Sequence, residues 1–215
     1  MNQRAAVFLD RDGVLNRAIV REGRPYPPST LEELEILPGV VNAIDRFQSA
    51  GLLVIVVTNQ PDLARGTQNK AFVDSIHGFL QLILPLDAIL VCGHDDADDC
   101  PCRKPRPGML LEAARRFHID LSRSFMVGDR WRDISAGIAA GCRTFLIGDG
   151  YGEAFPDPPD AVFPSLSEAS DQILKESAAA ASSESRIVFD PTQESSCTPS
   201  PTSKSRSSPM AQSCR

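Results

Sequence analysis

Two carboxylates directly follow a short apolar segment near the beginning of the chain. Asp10 and Asp12 lie in the sequence DRDG, which comes after the apolar residues 5–9. Carboxylates at this spacing can share a cation and divide two roles, because one can attack phosphorus to form an acyl phosphate while the other moves protons. Attack of one anion on another needs a counter-charge, and Mg²⁺ is a cation that bridges carboxylate and phosphate oxygens. The motif therefore indicates magnesium-dependent phosphoryl transfer to Asp10, with an ordinary Asp-Gly turn as the alternative.

Three further polar residues are of types that suit the same chemistry. Thr58 ends a long apolar segment, where its hydroxyl and the neighbouring backbone amides could hold phosphate oxygens. Lys104, in the sequence CRKP, could neutralise the charge of a phosphoryl group in the transition state. Asp129, in GDRWRD, follows a short apolar segment in the same way as Asp10. Each signal is weak alone, but together they predict one phosphate-handling site.

Apolar strands and amphipathic helices alternate along the chain, and their order would bring these residues together. Residues 52–58 are apolar up to Thr58 and rich in β-branched side chains, as in a parallel strand that is covered on both faces. The alternation predicts a doubly wound, Rossmann-like α/β fold with a parallel sheet, in which ligands bind beyond the carboxyl ends of the strands. The predicted strands are 5–9, 52–58, 88–92, 124–127, 144–147 and 161–163, and the predicted helices are 38–50, 68–84, 107–117, 131–140 and 166–175.

The composition of the chain changes near residue 176. Residues 176–215 are dominated by Ser, Pro and Thr, with one small apolar cluster at 187–189. Such a segment buries too little apolar surface to offset the entropy of ordering the chain. We therefore predict a folded domain over residues 1–175 and a disordered tail over residues 176–215.

The overall charge and hydropathy exclude several classes of partner. The net charge is −6 and aromatic residues make up 6% of the chain, which argues against a nucleic-acid-binding protein. The N-terminal apolar run is too short for a signal peptide, and no stretch approaches the ~20 apolar residues of a membrane span. We expect a cytoplasmic protein with a small phosphorylated molecule as its partner, and neither nucleic acid nor membrane.

A cluster of metal-binding residue types precedes Lys104. Residues 92–102 read CGHDDADDCPC and contain Cys92, His94, Cys100 and Cys102 in the pattern C-x-H-x5-C-x-C. Three thiolates and one imidazole form a closed tetrahedral set, which is typical of structural Zn²⁺. The alternative is a chance grouping of a buried Cys and a polar loop. A zinc ion here would order a loop that ends beside the substrate-facing Lys104.

Four segments together resemble the haloacid dehalogenase superfamily of phosphatases over roughly residues 5–175. They are FLDRDGVLN, VVTNQ, CRKPRPGM and VGDRWRD. The resemblance implies that Asp10 is the nucleophile and that Asp12 is the general acid and base. It also implies that Thr58 and Lys104 stabilise the transferring phosphoryl group. The Mg²⁺ ligands would be Asp10, the backbone carbonyl of Asp12, and Asp129.

The zinc loop resembles the histidinol-phosphatase-like branch of this superfamily, whose members have no large cap domain. Substrate choice would then come from short loops. The substrate contacts that we expect are Asn59, Gln60, Arg65, Arg103 and Arg130. For Asp133 two roles stay open, one as a metal ligand and the other as a residue that holds the loop. By analogy with the branch, the protein is expected to be a monomer.

The resemblance favours one substrate over another. TNQPDLARG and CRKPRPGMLL resemble segments of members that act on a D-glycero-D-manno-heptose 1,7-bisphosphate. The short spacer between His94 and Cys100 also occurs in members that act on histidinol phosphate, which is therefore the alternative substrate. A phosphotransferase that passes the phosphoryl group to another acceptor is also possible. A hypothesis of another class is a catalytically silent, zinc-stabilised binding module, but the intact acids Asp10, Asp12 and Asp129 argue against it.

Overall fold

The strands and helices follow the predicted alternation. The computed structural model of the chain describes residues 3–187. The strands are β1 (Ala6–Leu9), β2 (Ile19–Arg21), β3 (Arg24–Tyr26), β4 (Leu53–Asn59), β5 (Ala88–Cys92), β6 (Phe125–Gly128), β7 (Arg143–Ile147) and β8 (Ala161–Phe163). The helices are α1 (Val40–Ser49), α2 (Asp62–Arg65), α3 (Lys70–Ile83), α4 (Gly108–Phe117), α5 (Trp131–Ala140) and α6 (Leu166–Ile187).

A six-stranded parallel sheet forms the centre of the molecule, in the order β5-β4-β1-β6-β7-β8. The residues of β1 are all buried, and they alternate between two layers of core. Val7 and Leu9 pack in the layer that holds the apolar faces of α1, α3 and α6. Ala6 and Phe8 pack in the layer formed with α4 and α5. Helices cover both faces of the sheet, which confirms the predicted doubly wound α/β fold.

The central position of β1 determines where the polar residues emerge. β1 pairs in parallel with β4 on one side and with β6 on the other, and Leu9 is in register with both Val56 and Val127. Just beyond that register, the backbone N–H of Asp10 donates to the carbonyl of Val127 (2.9 Å). The carboxyl ends of the three strands therefore lie at one edge of the sheet, as parallel pairing requires.

The sequence did not predict the hairpin formed by β2 and β3 or the short helix α2. β2 and β3 pair antiparallel, and their exposed or half-exposed residues lack the alternation of apolar and polar positions that marks a strand. α2 spans only four residues, which is too short for a helical period to show.

The last helix is longer than the sequence predicted. α6 continues through residues 176–187, which the sequence assigned to the tail, and Ala-rich residues 178–181 favour this extension. Glu176 on α6 accepts from Arg143 Nε on β7 (3.2 Å). The predicted disorder beyond residue 187 lies outside the described residues and stays a prediction. No helix within residues 3–187 is both long and apolar enough to cross a bilayer.

Candidate active site

A buried lysine lies at the centre of the site. Lys104 Nζ is 2.9 Å from Asp10 Oδ1 and 2.5 Å from Asp133 Oδ1, and it donates to the carbonyl of Val57 (2.7 Å). The Lys104 side chain is only 2% exposed. Burial alone lowers the pKa of Lys104, but the carboxylates of Asp10 and Asp133 outweigh it and raise the pKa above its ordinary value. Lys104 is therefore a fixed positive charge beside Asp10.

Asn59, at the end of β4, holds the backbone of Lys104. Its Nδ2 donates to the carbonyl of Lys104 (2.9 Å), and its Oδ1 accepts from the N–H of Lys104 (3.1 Å). The peptide bond between Lys104 and Pro105 is cis. Both polar atoms of the Asn59 side chain thus bind the backbone of Lys104. Asn59 also lines the cavity described below, and its expected contact with substrate stays a prediction.

Asp10 lies in an acidic environment. The pKa of Asp10 is raised to about 6, mainly by burial and also by the nearby Asp133 and Asp12 carboxylates, while the Lys104 charge opposes the rise. Burial likewise raises the pKa of Asp129, and Asp10 and Asp133 add to the effect. One lysine faces three close carboxylates, so a further positive charge would stabilise the ionised form of this group.

Asp129 presents an unpartnered oxygen to the same place. Its Oδ2 accepts from the hydroxyl of Tyr151 (2.7 Å), whereas its buried Oδ1 has no hydrogen-bond partner among the described residues. The DRDG turn approaches this carboxylate closely. Gly13 has φ +87°, and a Cβ there would lie 1.7 Å from Asp129 Oδ2. Glycine is therefore required at position 13 for the turn to meet Asp129.

Carboxylate oxygens of Asp10, Asp129 and Asp133 lie within 4.8 Å of one another. Both oxygens of Asp133 are already engaged, since Oδ1 forms an ion pair with Lys104 Nζ and Oδ2 accepts from the backbone N–H of Arg130 (3.1 Å) at the start of α5. Asp10 and Asp129 remain as the carboxylates with oxygens available to a cation. This oxygen-rich set, with the unpartnered Oδ1 of Asp129, fits Mg²⁺.

The second carboxylate of the DRDG motif is held apart from this cluster. Asp12 Oδ2 accepts from Arg11 Nη2 (2.8 Å) and from Gln60 Nε2 (3.1 Å), and Asp12 Oδ1 accepts from Asn16 Nδ2 (2.9 Å). The same Gln60 amide donates to the hydroxyl oxygen of Thr58 (2.9 Å), so the Thr58 proton is free to point elsewhere. Gln60, which we expected to contact substrate, is 1% exposed and links Asp12 to Thr58 instead.

A cavity of about 480 Å³ opens onto these residues. Asp10, Asp12, Thr58, Lys104 and Asp129 all contribute to its lining, so the structure brings together the five residues predicted for phosphoryl transfer. The unpredicted β2–β3 hairpin supplies part of the rim through residues 24–27.

The arginines expected to bind substrate also line the cavity, but each is paired with an acid. Arg65 forms a two-pronged pair with Asp95 (2.6 and 2.7 Å). Arg103 Nε donates to Asp96 (2.8 Å), and Arg130 Nε donates to Glu153 (3.1 Å). Any contact between these arginines and a substrate would compete with those pairs.

The four residues of the predicted zinc site converge. Cys102 Sγ is 3.3 Å from Cys100 Sγ, 3.4 Å from Cys92 Sγ and 3.3 Å from His94 Nδ1. Zn–S bonds of about 2.3 Å in a tetrahedron would place sulfur atoms about 3.8 Å apart, so the cluster needs only a slight expansion to hold Zn²⁺. Arg103 Nη1 donates to the carbonyl of His94 (3.2 Å), which ties the loop to the segment that carries Lys104.

Several residues of the site were not predicted from the sequence. Arg11 lies fully buried between the two motif acids, and it contacts His77 on α3. Tyr151 and Asn16 reach the acids from loops. The alternation of Asp10, Arg11 and Asp12 was a signal for Arg11, but nothing near Tyr151 or His77 indicated their partners.

The chain is similar in sequence to proteins of one known family. A family model described as HAD-hydrolase-like matches residues 101–169. The D-glycero-beta-D-manno-heptose-1,7-bisphosphate 7-phosphatase of Bordetella bronchiseptica is 39% identical over 151 residues, which cover 68% of this chain and 82% of that protein. The protein of the same name from Pseudomonas aeruginosa is 36% identical over 154 residues, which cover 69% of this chain and 84% of that protein.

A solved structure extends the comparison to the fold. The crystal structure of D,D-heptose 1,7-bisphosphate phosphatase from B. bronchiseptica, complexed with magnesium and phosphate, matches with a TM-score of 0.68 and 35% identity. The match covers 80% of this chain and 99% of that chain.

Proposed function

This chain belongs to the haloacid dehalogenase-like phosphatases, and on that premise we propose that it hydrolyses a phosphomonoester through an aspartyl phosphate on Asp10. The observation that carries the proposal is the meeting of Asp10 and Asp129 with the buried Lys104 on the floor of one cavity. Asp12 lies in the same cavity but outside that cluster, which leaves it available for proton transfer. Two carboxylates in different environments suit two different roles.

The reaction divides into two displacements at phosphorus. In the first, an Asp10 carboxylate oxygen forms a bond to phosphorus while the bond from phosphorus to the substrate oxygen breaks. Asp12 gives its proton to the departing oxygen, which leaves as an alcohol. In the second, Asp12 takes a proton from water, the water oxygen bonds to phosphorus, and the bond to Asp10 breaks. The products are inorganic phosphate, the alcohol and the regenerated Asp10 carboxylate.

The chain supplies charge and hydrogen bonds for both displacements. Lys104, held 2.9 Å from Asp10, would neutralise a phosphoryl oxygen, and the hydroxyl of Thr58 would donate to another. Asp10, Asp129 and the backbone carbonyl of Asp12 would hold Mg²⁺, which supplies charge neutralisation between the carboxylate and the phosphate. Asp133 would hold Lys104 and the start of α5 rather than bind the metal. Cys92, His94, Cys100 and Cys102 would hold a structural Zn²⁺.

We propose D-glycero-D-manno-heptose 1,7-bisphosphate as the substrate, with cleavage at the 7-phosphate. Support comes from the names of the curated relatives and from the magnesium and phosphate bound in the solved structure. Arg65, Arg103 and Arg130 at the cavity rim could receive the second phosphate once their acidic partners release them.

A substrate panel tests the activity. The purified full chain is incubated with Mg²⁺ and the heptose bisphosphate, histidinol phosphate, or generic phosphate esters, and released phosphate is measured. We expect the heptose bisphosphate to give the highest kcat/KM. Faster release from histidinol phosphate would replace the proposed substrate, and no release from any ester would favour a silent binding module.

The covalent mechanism is tested at Asp10. Asp10→Asn keeps the shape of the side chain but removes the nucleophile, so turnover should fall by about 10³-fold or more. The matched control is Asp45→Asn, the same change at an exposed position of α1, which should leave turnover unchanged. Circular dichroism checks that both variants fold, and turnover within a few-fold of wild type in Asp10→Asn would contradict the mechanism.

A further inference from the structure

Arg11 is a fully buried charge that the proposed reaction does not use directly. Its side chain is 0% exposed, although it lies between two residues that line the cavity. Its Nε is 3.2 and 3.1 Å from the two oxygens of Asp12, and its Nη2 donates to Asp12 Oδ2 (2.8 Å). The planar guanidinium fork matches a carboxylate in a way that lysine cannot, so this pair sets the plane of the Asp12 carboxyl as well as its charge.

The remaining arm of Arg11 is held by a histidine on another element. Arg11 Nη1 lies 3.0 Å from Nε2 of His77, which is buried on α3. A guanidinium can only donate hydrogen bonds, so Nε2 must be the acceptor and the imidazole must carry its proton on Nδ1. Burial, followed by the nearby Arg11 charge, lowers the pKa of His77 to about 4. His77 is therefore neutral at ordinary pH, as an acceptor has to be.

The helix that carries His77 is itself well anchored. Asn69 caps the start of α3, because its side chain accepts from the N–H of Phe72 (2.8 Å). The helix buries Val73, Ile76 and Leu80 in the core. The chain of contacts from α3 through His77 and Arg11 thus ends on Asp12. Asp12 stays 16% exposed and faces the cavity.

We propose that Arg11 and His77 are positioning residues that hold the Asp12 carboxyl at the oxygen of the leaving group. The proposal rests on the proposed function, because it assigns the proton transfer to Asp12. Arg11 fixes the plane of the Asp12 carboxyl. Its positive charge also stabilises the Asp12 carboxylate that remains after the proton has passed to the leaving group. His77 prevents the guanidinium from turning away.

Substrates whose leaving groups differ in basicity can distinguish a role in positioning Asp12 from a general contribution to the stability of the fold. An alkyl phosphate, such as a sugar phosphate, releases a strongly basic oxygen that needs a proton as it leaves. An aryl ester such as p-nitrophenyl phosphate releases a stable phenolate that needs little help. For both esters, kcat/KM reports only the steps up to departure of the leaving group. A misplaced Asp12 therefore lowers kcat/KM for the alkyl ester and spares that for the aryl ester.

The first test is Arg11→Lys, which keeps the charge and removes the fork. We expect kcat/KM for the sugar phosphate to fall by about 10²-fold, within the range that general acid catalysis contributes, with less than about threefold change for the aryl ester. The matched control is Arg17→Lys, the same change in an exposed two-pronged pair with Glu35, which should alter neither value. Equal losses on both esters in Arg11→Lys would overturn the proposal.

The second test changes His77, at the far end of the contact chain from Asp12, and leaves the buried charge of Arg11 in place. His77→Leu removes the acceptor, whereas His77→Gln can place an amide oxygen near the position of Nε2. We expect His77→Leu to reproduce the selective loss on the alkyl ester and His77→Gln to restore most of it. Thermal unfolding in parallel identifies a variant that has lost its fold. If His77→Leu is folded and its ratio of kcat/KM for the alkyl ester to kcat/KM for the aryl ester equals that of wild type, the proposed role of His77 is wrong.

Failure of the proposed function is distinguishable from failure of this inference. If wild-type protein cleaves neither ester with Mg²⁺ present, the phosphatase proposal fails. If wild-type protein cleaves both and the variants leave the ratio of the two kcat/KM values unchanged, the phosphatase proposal stands and the positioning role is wrong.

Discussion

Individual side chains at the site are held by partners that leave few of their atoms free. Asp129 shows this most clearly, because Tyr151 occupies Oδ2 while the buried Oδ1 has no partner among the described residues. The division assigns one oxygen to the protein and leaves the other for a cation. Tyr151 adopts φ 55°, an uncommon conformation for a residue with a side chain, so the loop is bent in a way that aims its hydroxyl at Asp129.

Tyr151 should therefore affect metal binding. Tyr151→Phe removes the hydrogen bond and leaves Asp129 free to turn, so we expect Mg²⁺ affinity, measured by calorimetric titration, to weaken by about 10- to 100-fold. Tyr26→Phe is the matched control, since Tyr26 is the other tyrosine of the chain and lines the same cavity. Equal Mg²⁺ affinity in Tyr151→Phe and wild type would contradict the proposed role of the hydroxyl.

At the scale of elements, the loop between β5 and α4 connects the thiol cluster to the site. Cys92 ends β5, and Lys104 follows Cys102 by two residues. The loop is also joined to α4, because the N–H of Gly108 donates to the carbonyl of Pro101 (3.1 Å). The loop residues have little apolar core of their own. A metal would therefore contribute directly to the stability of the segment that carries Lys104.

Removing one thiolate tests this dependence. Cys100→Ala should lower the zinc content from about one ion per chain and reduce the melting temperature, because three ligands hold Zn²⁺ less tightly than four. Cys142→Ala is the matched control, as Cys142 is a buried cysteine that is not one of the four clustered residues. Zinc is measured by elemental analysis. Unchanged zinc in Cys100→Ala would show that the ligand set is wrong.

At the scale of the whole molecule, the buried histidine couples stability to pH. Burial and Arg11 lower the pKa of His77 to about 4, whereas an unfolded histidine titrates near 6.5. Between these values the unfolded chain binds more protons than the folded one, so His77 makes the free energy of unfolding decrease as the pH falls. Asp12 and Asp74 oppose the shift, and Lys70 adds slightly to it. Asp10, whose pKa is raised, acts in the opposite direction over part of this range.

Comparison of wild type with His77→Leu isolates the contribution of His77 to the pH dependence of stability. His77→Leu should have a lower free energy of unfolding than wild type at neutral pH. This difference between the two proteins should shrink by about 2 kcal/mol at about pH 5, because the wild type loses the stability linked to His77 and leucine has no proton to bind. Urea unfolding at several pH values measures this difference. The metal ligands are the same in both proteins, so their titration cancels in the difference. Parallel curves for the two proteins would show that His77 keeps its ordinary pKa.

The sequence by itself determined the features that are encoded locally. Runs of apolar residues, such as Ala6–Leu9, predicted the parallel strands, and parallel strands end at one edge of a sheet, so Asp10 and Asp129 were expected at the same edge. Their direct proximity follows from the pairing of β1 with β6 in the structure. The spacing of three cysteines and a histidine within one loop likewise indicated their grouping. The structure places these residues as expected, and their chemical roles stay proposals.

Only the tertiary structure decided which side chains meet across separate elements. Arg11 and His77 are 66 residues apart, and Asn59 and Lys104 are 45 apart. Hydrophobic periodicity specifies which face of a strand or helix is buried, but not which polar group lies within 3 Å of another. For the same reason, Arg65, Arg103 and Arg130 read in the sequence as free cations. Their acidic partners became visible only when loops and strand ends came together.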